Sequence, residues 1–344
     1  MSATNADLYL VLDIGGTTLR SAVYDPVQGA IADAQREPVH NFLSQPGAPV
    51  AAVQAKVVEQ LQRLIARRCE ALQAQGRPVR AVGLSFAGPI DAQGRVLSAA
   101  TIWGAGGAPL AVGDELRRRL GGLPVHALND VTAAAWRYAD RHDEPFCLVT
   151  VSSGVGNKVF WGREVLVNRH GHGGEIGHQR IDFAADALPC DCGGRGHLGG
   201  IASGRGSVAV ARRFAAGDPA AFRASRLAAL CGSDPAALSS YHLVRAALDG
   251  DAFAERCVRH GIGCMAQAIS GLYAAIGVRR YLFMGGFALA LGSQYLAWLA
   301  DALREIGLFG IADDDIPSLL QLADADDDHG LVGAGRYLAH RVHP

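Results

Sequence analysis

The sequence predicts an α/β protein made of two α/β domains flanking a shared cleft, the second repeating the frame of the first. Three observations carry this. At about 150 residues per domain, a chain of 344 residues makes roughly two domains. A short apolar run, a glycine turn and a second run open the chain, and the same layout returns about 139 residues later, the mark of a duplicated frame. No low-complexity linker divides the halves, and 49% hydrophobic residues supply a sizeable core.

Taken in order, Leu8–Asp13 is an apolar run ending in an acid, followed by Ile14-Gly15-Gly16-Thr17-Thr18 and by Leu19–Tyr24 with a turn at Asp25-Pro26: strand, turn, strand. Val53, Val57, Val58, Leu61, Leu64 and Ile65 fall at helical spacing within Val50–Ala74. Val79–Phe86 reads as a buried strand running into Ala87-Gly88-Pro89, and Leu123–Leu128 as another ending at Asn129-Asp130, with a helix from Thr132 to Asp140. Phe146–Ser152, the turn Ser153-Gly154-Val155-Gly156-Asn157 and Lys158–Trp161 form the second copy of the opening layout. Ile201–Ala275 is helix-rich, Arg280–Met284 is a strand ending in Gly285-Gly286, and Ser293–Ile306 and the small-residue tail Gly330–Ala339 are helical.

Composition excludes several classes. With 33 acidic against 32 basic residues, the chain is neither disordered nor an electrostatic nucleic-acid binder. Its only lysines, Lys56 and Lys158, do not follow glycine, which removes the Walker A loop. No uninterrupted apolar run reaches membrane-spanning length, since Met265–Leu291 is broken by Arg279 and Arg280, and Met1–Asp7 lacks a signal-peptide pattern. A soluble cytoplasmic protein without a membrane partner is expected. Seven scattered cysteines do not make a disulfide framework.

Glycine turns after strands bring backbone N–H groups close to a ligand, so the turns at Gly15-Gly16, Gly154-Val155-Gly156 and Gly285-Gly286 suit a polyphosphate, with Thr17 and Thr18 adding hydroxyls. Taken singly, each also reads as a plain tight hairpin. Asp13 and Asp130 end apolar strands, where a carboxylate can hold a metal–nucleotide or accept a hydroxyl proton. Asn129-Asp130 is equally a helix N-cap. Between Gly171 and Gly200, His178, Cys190, Cys192 and His197 supply four soft or borderline ligands that suit tetrahedral zinc in a structural role. A buried thiol pair is the competing reading; the redox motif has Cys-x-x-Cys spacing, which this is not.

These segments resemble the ROK family of sugar kinases and repressors over nearly the whole chain: Asp13–Thr18, Ser85–Asp91 with Gly88, Asn129–Ala135, Gly174–His178, Cys190–Gly196, Ser203-Gly204, Met284–Gly286 and Gly330–Gly335. The resemblance implies the actin-like, hexokinase-type ATPase fold, in which residues 1–127 with 330–344 form one domain and 128–329 the other. It implies transfer of the γ-phosphate of Mg-ATP to the primary hydroxyl of a hexose-like sugar or cyclitol, and a homodimer or homotetramer. It makes Asp130 the general base, and Gly88, Asn129, Glu175 and His178 acceptor ligands, with His178 also on structural zinc. Asp13, Gly15, Gly16, Thr17 and Thr18, then Ser153, Gly154 and Gly156, then Gly285 and Gly286 become the nucleotide site.

Three departures bear on the acceptor. His197 stands where the family usually has a third cysteine, and imidazole is a competent zinc ligand. Gly199 replaces a glutamate that contacts hydroxyls near the anomeric end of a hexose, a loss of about 1.5–3 kcal/mol for such a substrate. The second phosphate loop continues into Asn157-Lys158, where Lys158 either meets a phosphate or points to solvent. These changes point to an acceptor shifted away from glucose, and the family's kinases of seven-carbon cyclitols fit them; the expected acceptor is the primary hydroxyl of a hexose-like sugar or a cyclitol. Glucokinase or N-acylhexosamine kinase activity, and a sugar-binding protein without catalysis, are the alternatives; a repressor would carry a helix-turn-helix ahead of Leu8.

Overall fold

The computed structural model describes residues 8–342. Its elements are β1 (Leu8–Ile14), β2 (Thr18–Asp25), β3 (Ala30–Pro38), α1 (Val50–Ala74), β4 (Val79–Phe86), α2 (Val112–Arg119), β5 (Val125–Asn129) and α3 (Asp130–Trp136), then β6 (Phe146–Val151), β7 (Val155–Trp161) and β8 (Glu164–Val165). Helices α4 (Gly199–Ala202), α5 (Gly204–Gly217), α6 (Pro219–Ala224), α7 (Arg226–Leu230), α8 (Ser240–Leu248) and α9 (Ala252–Ile276) follow. The chain closes with β9 (Tyr281–Met284), α10 (Gly286–Leu291), α11 (Ser293–Ile306), β10 (Leu320–Leu322) and α12 (His329–Val342).

The duplication is explicit in the sheets. One has the order β3-β2-β1-β4-β5 and the other, read from its opposite edge, β8-β7-β6-β9-β10, which is the same topology. In each, the first two strands form an antiparallel hairpin and the fourth and fifth run parallel to the first. The two glycine-containing turns are therefore equivalent hairpin turns of two copies of one frame.

Strand β1 is apolar on both faces because helices cover both faces of its sheet. Leu10, Leu12 and Ile14 pack with Val53, Val57, Val58 and Leu61 of α1, and the alternating Tyr9 and Val11 with Leu331, Ala334 and Leu338 of α12. In the second sheet Cys147, Val149 and Val151 enter a larger core with Met265 and Ile269 of α9.

The compact units differ from the expected domains: one comprises residues 1–143, 165–173 and 326–344, the other 144–164 and 174–325. Asp130 thus lies in the first unit, not the second. Strand β5 pairs with β4, and α3 packs on α12, so the chain changes unit only after α3.

That helix contact needs glycine. A Cβ at Gly333 of α12 would run into the carbonyl of Ala133 in α3. Gly333→Ala is therefore expected to lower stability by about 1–3 kcal/mol through overpacking, despite the better helix propensity of alanine. Denaturant melts check this; a more stable variant would contradict it.

The return to α12 is fastened by a row of acids. Buried Arg137 grips both oxygens of Asp326 at 2.5 and 2.7 Å, while Arg20 reaches the Asp327 carbonyl and Asp328, and Arg36 reaches Asp327. The Arg137 hydrogen bonds hold the Asp326 carboxyl down at about 2. A lowered folded-state value stabilises the protein above the unfolded carboxylate range near about 4, and the contribution disappears as pH falls toward 2. Asp326→Asn should flatten the acid limb of a stability–pH curve between those values, leaving the neutral limb's slope unchanged.

Candidate active site

In the first unit, β1 delivers Asp13 to the mouth of the opening turn. Ser85 on β4 donates to Asp13 Oδ1 at 2.6 Å, and a Cβ at Gly330 would lie 2.6 Å from that oxygen and from Ser85 Oγ, so the second residue of α12 must lack one. Burial raises the Asp13 carboxyl above its usual range, opposed by the Ser85 hydrogen bond and by Arg20. The turn itself closes through Gly15 N–H to the Thr18 carbonyl at 3.0 Å. Asn41, which the sequence offers no motif for, donates to the Gly16 carbonyl at 2.8 Å. Thr17 is exposed at the tip.

The helix N-cap reading of Asn129-Asp130 holds, and it leaves the Asp130 carboxylate with a defined orientation. Asn129 Oδ1 accepts from Thr132 N at 3.1 Å as the N-cap of α3, while its Nδ2 donates to Asp130 Oδ1 at 2.8 Å and to the Gly88 carbonyl at 3.0 Å. Asp130 Oδ1 also accepts from Val131 N at 2.9 Å. The carboxylate is thus oriented by its own helix start, half-buried rather than sealed. Gly88 has φ +154°, and a side chain there would strike the Ser98 carbonyl, which explains glycine at the position that supports Asn129.

In the second unit, the β6–β7 turn is Ser152-Ser153-Gly154, closed by Ser152 N–H to the Gly154 carbonyl at 2.9 Å. Gly156, expected in the turn, is instead inside β7 opposite Thr150, because the antiparallel ladder with β6 extends to Val151–Val155. Gly285, at φ +94°, follows parallel neighbour β9 and would put a Cβ 2.7 Å from the Val151 carbonyl, so it lies against the end of β6 with Gly286 opening α10. The start of α5 meets the turn: Gly204 N–H donates to the Ser152 carbonyl at 2.8 Å and Arg205 Nε to the Ser153 carbonyl at 2.8 Å. A cavity of about 340 Å³ is lined by Ser153, Gly154, His178, Cys190, Gly199 and Arg205, among others.

Glu175 and His178 sit on a loop laid along β7. Asn157 Oδ1 accepts from Ile176 N at 3.0 Å, and Gly177 is pressed against the Val155 carbonyl. Lys158 is neither solvated nor in the turn: it is buried in β7, with Nζ 3.3 Å from Glu175 Oε1.

One donor from each of His178, Cys190, Cys192 and His197 lies within 4.8 Å of the others, a spread one ion can span. Cys192 Sγ is 3.2 Å from His197 Nδ1, and Cys190 Sγ 3.9 Å from His178 Nδ1. Gly194 makes room for the His197 ring, since a Cβ there would lie 2.8 Å from Nε2. Burial raises the Cys190 thiol, a cost that a cation would reverse. Two thiols and two imidazoles fit zinc.

The family model of the ROK family matches residues 9–341. A C(7)-cyclitol 7-kinase of Streptomyces hygroscopicus subsp. jinggangensis is 48% identical over 334 residues, covering 97% of this chain and 94% of the relative. A ROK glucokinase from Streptomyces griseus, solved with glucose and AMPPNP, superposes with a TM-score of 0.66 at 25% identity, covering 97% of this chain and 99% of its own. A ROK transcriptional regulator superposes with a TM-score of 0.77 at 23% identity, over 97% of this chain and 78% of its own, a likeness of fold alone. No described helix is long and apolar enough to cross a membrane.

Proposed function

The chain belongs to the ROK family, and from that premise we propose that it phosphorylates the exocyclic primary hydroxyl of a C7-cyclitol, with ATP as donor. The enzyme is an ATP-dependent sugar or cyclitol kinase; the narrower acceptor rests on 48% identity to a C(7)-cyclitol 7-kinase across 97% of the chain. Gly199 supports it, since a glycine there offers no carboxylate to the anomeric hydroxyls of a hexose.

In this reading Asp130 takes the proton of the attacking hydroxyl, and Asn129, Gly88, Glu175 and His178 hold the ring. Phosphoryl transfer has a loose transition state, so positioning and charge stabilisation supply most of the catalysis. The turns at Gly15–Thr18 and Ser153-Gly154 cradle phosphates through backbone N–H groups, and Gly285-Gly286 lies beside the adenosine. Magnesium, when bound, neutralises phosphate charge, and Asp13 is the carboxylate placed to hold it through water. Zinc on His178, Cys190, Cys192 and His197 is structural, since four protein ligands leave no position for an activated water. A homodimer or homotetramer working in the cytoplasm completes the reading.

An acceptor screen by coupled ADP release tests it, using glucose, N-acetylmannosamine, N-acetylglucosamine and a valiolone-type cyclitol. The cyclitol is expected to give the highest kcat/KM. A hexose ahead of it would move the reading to a glucokinase or hexosamine kinase, and ADP release indifferent to every acceptor would favour a binding protein.

A further inference from the structure

We propose that Lys158 is a positioning and selectivity residue of the acceptor site: its buried ammonium holds the Glu175 carboxylate oriented and charge-balanced, so that the site takes a neutral polyhydroxylated ring over an aminated one. This rests on Glu175 being an acceptor ligand, as read above. In a chain whose 32 basic residues include only two lysines, the one at 158 occupies a place that arginine would not suit. Its stem runs beneath Gly174, where a Cβ would lie 2.9 Å from Lys158 Cδ, and the planar, wider guanidinium has no such compact form.

The pair is unlike a surface ion pair. The Lys158 side chain is 6% exposed and that of Glu175 is 53% exposed, so the cation is the fixed member and the anion the presented one. A buried ammonium needs a counter-charge, and Glu175 Oε1 is one within reach. The Glu175 backbone is pinned on both sides, by Gly174 against the Asn157 carbonyl and by Ile176 N–H on Asn157 Oδ1. The freedom that remains to Glu175 is that of its side chain, and Lys158 restricts it. Oε2 has no hydrogen-bond partner among the described residues and is the oxygen left to accept from a ring hydroxyl. Because Lys158 balances the charge, an ammonium on the ring gains little at this point over a hydroxyl.

The test uses the purified full-length enzyme with Mg-ATP, a valiolone-type cyclitol and its aminated counterpart. Lys158→Met should raise the acceptor KM about 10-fold or more, as loss of a charge-assisted orientation does, with kcat and the ATP KM within about 3-fold. That rise should vanish in a Glu175→Gln background, and Lys158→Met alone should shift preference toward the aminated ring. An unchanged acceptor KM, an equal rise in the Glu175→Gln background, or a rise confined to the ATP KM would each overturn the proposal, the last by placing Lys158 on a phosphate. Should Lys158→Met not fold, Lys158→Gln carries the same expectations. Glu175→Gln by itself separates the two layers: if it leaves the acceptor KM unchanged, the assignment of Glu175 fails, whereas a raised KM there with an indifferent Lys158→Met overturns only the role of Lys158.

Discussion

Asp130→Asn is expected to reduce turnover at least about 100-fold while fold and acceptor affinity persist, because it removes the proposed general base without removing a hydrogen-bond acceptor. An asparagine oxygen can still take the hydrogens that Asn129 Nδ2 and Val131 N now give to Asp130 Oδ1, so the start of α3 keeps its geometry. It cannot take the proton of an attacking hydroxyl. The N-cap is made by Asn129 through Thr132 N and is untouched by the change. Steady-state kinetics with calorimetric acceptor binding reads both halves of this expectation. Turnover near the wild-type value would remove Asp130 from the base role and leave it as a helix-start residue.

Loss of the zinc proposed for the Cys/His knuckle is the second large effect expected. Cys192→Ala should abolish stoichiometric zinc, loosen residues 178–197 and lower acceptor turnover about 10-fold or more, since metal binding free energy at such sites is folding free energy. Between His178 and the start of α4 the segment has neither helix nor strand, only turns and isolated bridges. Its turn is held by Cys190 N–H to the Gly194 carbonyl at 2.8 Å and by isolated bridges at Pro189–Arg195 and Arg180–His197, and both Cys192 and His178 are exposed. His178 belongs to the knuckle and to the loop carrying Glu175, so disorder at the ligands reaches the acceptor side. Elemental analysis and amide hydrogen exchange of the wild type and variant measure this. A fully active variant with protected amides, or a wild type purified without zinc, would contradict it.

Much of the frame is legible in the sequence because it depends on short-range chemistry. Short apolar runs bounded by turn residues locate β1, β2, β6 and β9, helical spacing matches α1 from Val50 to Ala74, and the repeated hairpin foretells the shared sheet topology. The Cys/His cluster is legible because its four side chains lie within twenty residues, His178 to His197, and the fold brings one donor atom of each within 4.8 Å of the others. What depends on long-range packing is not. Asn41 reaches Gly16 across 25 positions, and Arg137 reaches Asp326 across 189, with no local pattern to announce either. The unit boundary fails for the same reason, since β5 and α3 are claimed by β4 and α12. Lys158 misleads differently. A lysine after a glycine-rich turn reads as solvated or phosphate-facing, whereas the ladder to Leu148 carries it into the sheet and under Gly174.

The most direct measurement of the central claim is where the phosphate goes. After incubation with Mg-ATP and a valiolone-type cyclitol, phosphorus NMR of the product should show one new phosphomonoester coupled to the protons of the exocyclic CH₂, formed in step with ADP. An ester on a ring hydroxyl, or ADP with inorganic phosphate and no ester, would contradict it.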